Sequence, residues 1–411
     1  MKVTRKLILI MMLLVMFVTA GCNDSKISKN NDENKSNIAG SVTNKDGIKE
    51  GSKKQRDKIK TKENDKDKSK TEENKERNIS DNNDSKTKNN DDKNKGDIID
   101  LSKIKPNEAG QVMVLMYHSI STPEAEFTRT PDNFRKDLQV LYDKGYRPIS
   151  LRDYVTGNIT TKAGYTPVVI TFDDGWKNNF NIIKDKKGNI TIDPDCAVAI
   201  LEKFHSEHTD FPLEATFFIN DNTPFGQKEY VEYKLKYIVD KGMDIGNHTA
   251  THVDFHAVTH SNFIPADADR IQREIADIKK IVNKYIPDYQ VNTLALPYGN
   301  RPKNKDLYTY LEKGKFDGIE YNNIAILNVG WDPNRSPYHI KFNPLSIHRV
   351  RASDLQKYVK GVGIYDWIKR FDKGERTKYI SDGNPNTITI PKGYLEVIDK
   401  NRIGNRKVIT Y

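Results

Sequence analysis

Cysteine is scarce in this chain of 411 residues: there are two, Cys22 and Cys196. Cys22 follows directly on an apolar N-terminal run, so Cys196 has no partner in a folded domain and stability has to come from an ordinary core. Cys196 itself reads as a small buried apolar residue. Long apolar runs are also scarce. The one at residues 7–18 follows Lys2, Arg5 and Lys6 and falls short of the ~20 residues that cross ~30 Å of hydrocarbon. It reads as an export signal over residues 1–21, outside the fold. Large apolar side chains are nearly absent from residues 22–106, where Lys, Asn, Asp, Glu and Ser dominate. Such a stretch cannot offset its ordering entropy and is expected to be a disordered tether. A one-sided charge is missing as well. Residues 23–100 hold 20 basic and 18 acidic groups, so the formal net charge of +10 does not arise there. That balance excludes a basic tail for nucleic acid, and no segment resembles a nucleic-acid reading module. At ~5–6 Å times the square root of its length, the tether reaches on the order of 50 Å, a span suited to a wall or capsule. No partner protein is evident, and no internal repeat is present.

Residues 107–411 are enough for one large α/β domain with a full core. Apolar runs of strand length occur at 111–117, 168–172, 215–219, 243–247 and 293–296. Helical spacing appears between them. Thr130 and Pro131 open a helix carrying Phe134, Leu138 and Leu141 and stopped by Gly145; 200–204 and 230–239 follow, and Ile271, Ile275, Ile278 and Val282 mark a long amphipathic helix. Alternation of this kind predicts a mainly parallel sheet with the site at the C-terminal strand ends, so the loops after Phe172, Asn247, Leu296 and Ile347 should converge. Residues 388–390 and 407–410 predict a small C-terminal β addition.

Three of those loops carry reactive groups. Asp173 and Asp174 follow a strand, with Gly175 giving room to turn; adjacent side chains diverge there, so one carboxylate can hold a metal while the other faces a substrate. Taken alone, Asp-Asp-Gly is also an ordinary turn. His248 and His252 stand four apart, a spacing that puts both imidazoles on one side of a helical turn. With a carboxylate, two imidazoles leave positions open on a divalent ion for water and substrate. His256 and His260 share the spacing but follow no strand and are set aside.

The order and spacing of Thr171 to Gly175, then His248 to His252, then Pro297, Tyr298 and Gly299, then Leu345 to His348 resemble the successive motifs of the polysaccharide deacetylase family, carbohydrate esterase family four. The resemblance implies an α/β fold, a distorted, incomplete (β/α) barrel, removing N-acetyl groups from a cell-surface polysaccharide that contains N-acetylglucosamine, with peptidoglycan the first expectation and secreted poly-β-1,6-N-acetylglucosamine, or a non-catalytic wall-binding lipoprotein of the same fold, the alternatives. It implies Asp174, His248 and His252 as ligands of a divalent metal, with zinc the first expectation. Asp173 would be the general base, His348 the general acid and the backbone N–H of Tyr298 the oxyanion donor. Pro297, Tyr298, Trp331 and His118 would shape the substrate site, although a packing role explains Trp331 and His118 equally well. One departure stands out: the family's usual Arg two residues before the third-motif Pro is Ala295 here, which leaves Asp173 without an evident cationic partner. The Met116, Tyr117, His118 entry and the form of residues 296–299 resemble the subgroup that deacetylates poly-β-1,6-N-acetylglucosamine. Small residues before Cys22 similarly resemble a bacterial lipoprotein processing site. That resemblance implies an extracytoplasmic protein held to the membrane by lipid on Cys22, with an uncleaved anchor helix as the alternative.

Overall fold

Seven short runs rich in β-branched and apolar residues become the strands that position the site. The computed structural model describes residues 100–411 apart from 257–265, 354, 356 and 358. The export signal, Cys22, nearly all of the tether and His260 lie outside the described residues. The end of the stretch assigned to the tether is ordered: Asp100 caps a short helix, Leu101–Ile104, and the Tyr411 hydroxyl donates to the Pro106 carbonyl.

The strands are β1 (Met113–Tyr117), β2 (Thr166–Phe172), β3 (Thr216–Ile219), β4 (Asp244–Asn247), β5 (Thr293–Ala295), β6 (Ala325–Leu327) and β7 (Val350–Arg351). They lie in the order β6-β5-β4-β3-β2-β1-β7, and every neighbouring pair is parallel. A short strand, Tyr146–Pro148, pairs with the start of β2. A parallel bridge from Leu327 to Ile347, just ahead of β7, joins the two ends. The sheet therefore curls into a seven-stranded barrel, one strand short of the eight-fold form.

Helices α1 (Pro131–Asp143), α2 (Ala197–Glu207), α3 (Val231–Asp240), α4 (Ala268–Tyr285) and α5 (Ile364–Asp372) lie between or after the strands. Thr130 caps α1, its hydroxyl accepting from the Asn133 N–H. No described helix is long and apolar enough to cross a membrane.

Strand alternation divides the core. Leu115, Tyr117, Ile170 and Phe172 pack with Phe134, Leu138, Leu141 and Leu201 of the surrounding helices. Val114, Val169, Phe218, Ala295, Leu327 and Ile347 form the opposite, inner set. Each large apolar side chain fully buried in this way stabilises the fold by about 1.5–3 kcal/mol. The predicted C-terminal addition is a parallel pair, β8 (Thr387–Ile390) with β9 (Lys407–Thr410), and it shares the inner set's cluster through Ile388 and Ile390.

Candidate active site

Asp173 and Asp174 leave the C-terminal end of β2. Asp173 continues the inward alternation, its N–H donating to the Tyr117 carbonyl at 3.0 Å, and is 1% exposed. Asp174 and Gly175 have positive φ (72° and 56°), so the chain turns at once and brings the second carboxylate round to face the histidines.

The expectation that Asp173 lacks a cationic partner is overturned. Arg349, buried on the inner face of the strand that includes β7, makes a two-point ion pair with it, Nη1 to Oδ1 at 2.6 Å and Nη2 to Oδ2 at 2.7 Å. Burial by itself raises the carboxyl pKa, but the Arg349 guanidinium, with His248 and His118, outweighs it and holds Asp173 below the ordinary carboxylate range. A different strand thus supplies the cation that position 295 lacks. Ala295 contributes through its backbone instead, its carbonyl sitting 2.8 Å from Nδ1 of His248. That contact places the proton on Nδ1 and turns Nε2 toward Asp174.

His248 Nε2 and His252 Nε2 lie 3.4 and 3.3 Å from Asp174 Oδ1, and one donor atom from each of the three residues lies within 4.8 Å of the others. Zinc bonded to N and O at ~2.0–2.2 Å in a tetrahedron would hold its donors about 3.3 Å apart, so the set fits such an ion. The four-residue spacing works by a different geometry from the helical turn expected. Thr249 and His252 have left-handed backbones, φ 60° and 51°. Glu274 of α4 pins the intervening loop, accepting from the Thr251 N–H and hydroxyl at 2.8 Å each. Burial, then the neighbouring His248, pulls the His252 pKa down to about 4, keeping its ring neutral as a ligand must be.

His118, at the end of β1, faces the same centre, Nε2 lying 3.8 Å from Asp173 Oδ2. The exposed Phe127 ring lies against it at 4.8 Å between centroids. Tyr298 packs edge-on against His252 at 4.9 Å, in a left-handed turn (φ 58°) between buried Pro297 and Gly299. Trp176, which the sequence did not single out, donates its indole N–H to Asp174 Oδ2 at 2.9 Å with its ring 51% exposed. Its position two residues beyond the acid pair was the available signal.

Two assignments change. His348 is not inside the barrel: Ile347 belongs to the inner set and Arg349 reaches Asp173, so the residue between them projects outward. It is exposed and lines a separate cavity with Asp332 and Trp367. The chain after Ile347 is a continuing strand rather than a converging loop. Trp331 is also exposed, and its carbonyl accepts from the Trp367 indole of α5; no described contact joins it to the acid–histidine cluster. His256, set aside earlier, is engaged with the Arg301 carbonyl at 3.0 Å.

Residues 161–314 match the family model for polysaccharide deacetylases. That span holds both acids, both histidines and the Pro297 turn, and it supports the deacetylase family for this chain together with a curated relative. The relative is YxkH of Bacillus subtilis (strain 168), itself a candidate polysaccharide deacetylase, 24% identical over 198 residues. The match takes in 48% of this chain, which spans 60% of the relative's length. Among solved structures the chain is similar to the candidate deacetylase BA0330 of Bacillus anthracis (20% identity, 64% of this chain and 68% of that one, TM-score 0.44). It is also similar to the Streptococcus pyogenes deacetylase PplD (20%, 59% and 92%, 0.43) and to IcaB from Ammonifex degensii (17%, 59% and 92%, 0.42).

Proposed function

We propose that this protein is a metal-dependent hydrolase that removes N-acetyl groups from an N-acetylglucosamine polysaccharide outside the cytoplasm. The observation that carries the reading is the pairing of two sites. Asp174, His248 and His252 present donors at metal-binding separations, and Asp173 stands beside them locked by Arg349.

Asp174, His248 and His252 would hold a divalent ion, which would supply Lewis-acid polarisation of an amide carbonyl and acidify water. The chain's own groups do the rest. Asp173, kept ionised and oriented by Arg349, accepts the proton of the attacking water. The Tyr298 backbone N–H donates to the oxyanion. His118, the imidazole nearest Asp173 that is not a proposed ligand, protonates the departing nitrogen in place of His348. Burial draws its pKa down against the pull of Asp173 and Asp174, so the ring rests neutral at about pH 7 and donates after taking up the proton that Asp173 removes from the water. The exposed rings of Trp176, Tyr298 and Phe127 give an apolar rim on which a sugar face can stack.

Peptidoglycan is the first substrate in this reading, with lysozyme resistance as its consequence, and an export signal with lipid on Cys22 would place the enzyme there. Poly-β-1,6-N-acetylglucosamine is the second, favoured by the Tyr117 and His118 entry together with Ala295. Acetate release by the full chain from both polymers, with and without added zinc and beside Asp174→Ala, tests the proposal. Zinc-dependent release lost in the variant supports it; no release from either polymer sinks it.

A further inference from the structure

The outward turn of His348 opens onto a second feature. Between the outer side of the barrel wall, α5 and the segment around Tyr394 lies a cavity of about 830 Å³, within the range of small-molecule sites and lined by none of Asp173, Asp174, His248 or His252. Its charged lining is one-sided, Arg335, Lys341 and Arg376 against a single carboxylate, Asp332, with the imidazoles of His339 and His348 beside them. Among the described residues, none of Arg335, Lys341 and Arg376 has a carboxylate oxygen within 4.0 Å. Arg129, Arg147, Arg152 and Arg351 hold acids at 2.6–2.9 Å, whereas Arg301, Arg370 and Arg406 are satisfied by neutral oxygens; what marks the cavity is that three such cations line one space.

His339 sharpens the point. It is 7% exposed, and its Nδ1 accepts from the Lys341 backbone N–H at 2.9 Å. A neutral imidazole accepts at one nitrogen only, so Nε2 carries hydrogen. Yet Arg335 Nη1, a donor with nothing to give up, stands 3.3 Å from that Nε2. Two donors therefore face each other at the cavity wall, an arrangement that an acceptor anion would bridge. Burial, then Arg335 and Lys341, lowers the His339 pKa and keeps the ring in this neutral form. The lining also includes aromatic side chains, buried Trp367 and Phe342 and half-buried Tyr394. Cations and aromatic side chains lining one space of this size suit a charged sugar better than a lone inorganic ion.

We propose that this cavity binds an acidic saccharide, a sugar unit bearing a carboxylate or a phosphate, at a site separate from the acid–histidine centre. Occupancy would hold the chain onto a polyanionic glycan while the barrel mouth works on the acetylated one.

The test is calorimetric binding of three probes to the full-length protein: a glucuronic acid oligomer, a glycerol phosphate oligomer and a neutral chito-oligosaccharide. The comparison protein carries Arg335→Gln and Arg376→Gln, both exposed positions whose change should leave the unfolding midpoint unmoved. At least one acidic oligomer should bind, with an affinity that falls as salt rises and drops about ten-fold or more in the double variant. Binding should survive Asp174→Ala. The preferred oligomer identifies the charge as carboxylate or phosphate. The proposal is overturned by failure of both acidic probes to bind, by equal affinity for the neutral probe, by unchanged affinity in the double variant, or by loss of binding in Asp174→Ala.

Discussion

At the scale of single residues, the proton chemistry of the proposed reaction turns on which side of a strand each group faces. Ile347, His348 and Arg349 are consecutive, and a shift of one position exchanges inside for outside. His348→Ala should therefore retain acetate release close to wild type, whereas His118→Ala should lose about 10²-fold or more, the usual weight of a positioned acid or base. The opposite ranking, read from initial rates on one acetylated oligomer, would return His348 to the reaction. Arg349→Lys keeps a charge but cannot hold both oxygens of Asp173. It should lower kcat about 10²-fold with little change in KM and raise the apparent pKa of the acidic limb, the one set by ionisation of Asp173; Arg349→Met should in addition destabilise the fold by about 3–5 kcal/mol, because it strands a buried carboxylate. The acid–histidine cluster was legible in the sequence because Asp173, Asp174, His248 and His252 sit at strand ends with fixed local spacing. Arg349 was not, since it lies 176 residues from its partner. Nothing local marks a cation as facing inward until the register of its strand is known. Trp176 and Phe127 stayed hidden because an exposed ring beside a loop has no periodicity to betray it.

At the scale of elements, the strands buried on both faces were legible as apolar runs, and the helices as 3.6-residue patterns with caps. Ala325–Leu327 and Val350–Arg351 were missed because runs of two or three residues carry no period. The close approach of strands inside the barrel was equally unreadable. A Cβ on Gly246 would run into the Phe218 ring and lie 2.9 Å from the Thr293 hydroxyl, so Gly246→Ala should destabilise the protein by about 1–3 kcal/mol, measured by denaturant titration. The C-terminal addition is held by Glu108, 3% exposed, whose carboxylate accepts from the Thr389 N–H and the Tyr379 hydroxyl at 2.8 Å each. Burial, then the charge of Asp382, raises the Glu108 pKa to about 8. A folded-state pKa above the unfolded one means that the native state binds the extra proton. The associated stability is full below the unfolded value of about 4.5 and is lost as pH rises toward 8. Thermal unfolding should accordingly be easier at about pH 8 than at about pH 5, and Glu108→Gln, which cannot ionise, should flatten that dependence.

At the scale of the whole molecule, the proposed metal site exists only when the sheet is folded. Its ligands leave the ends of β2 and β4, which touch only through β3, and Glu274 of α4 fixes the loop that carries His252. An unfolded chain holds no such set, so an ion that binds the site must stabilise the folded state by mass action, about 2.7 kcal/mol at a hundred-fold excess over Kd. Zinc should therefore raise the unfolding midpoint of the wild-type protein by a few degrees, in proportion to the logarithm of its concentration. In Asp174→Ala the donors at 3.3 and 3.4 Å lose their common neighbour, and the shift should vanish while the metal-free midpoint changes little. Because the readout is stability, it separates two failures that an activity assay confounds. A zinc-dependent shift without acetate release would leave the metal site standing and count against the substrates tested. Absence of any shift with zinc, cobalt or nickel would remove the metal, and with it the deacetylase mechanism argued from these residues.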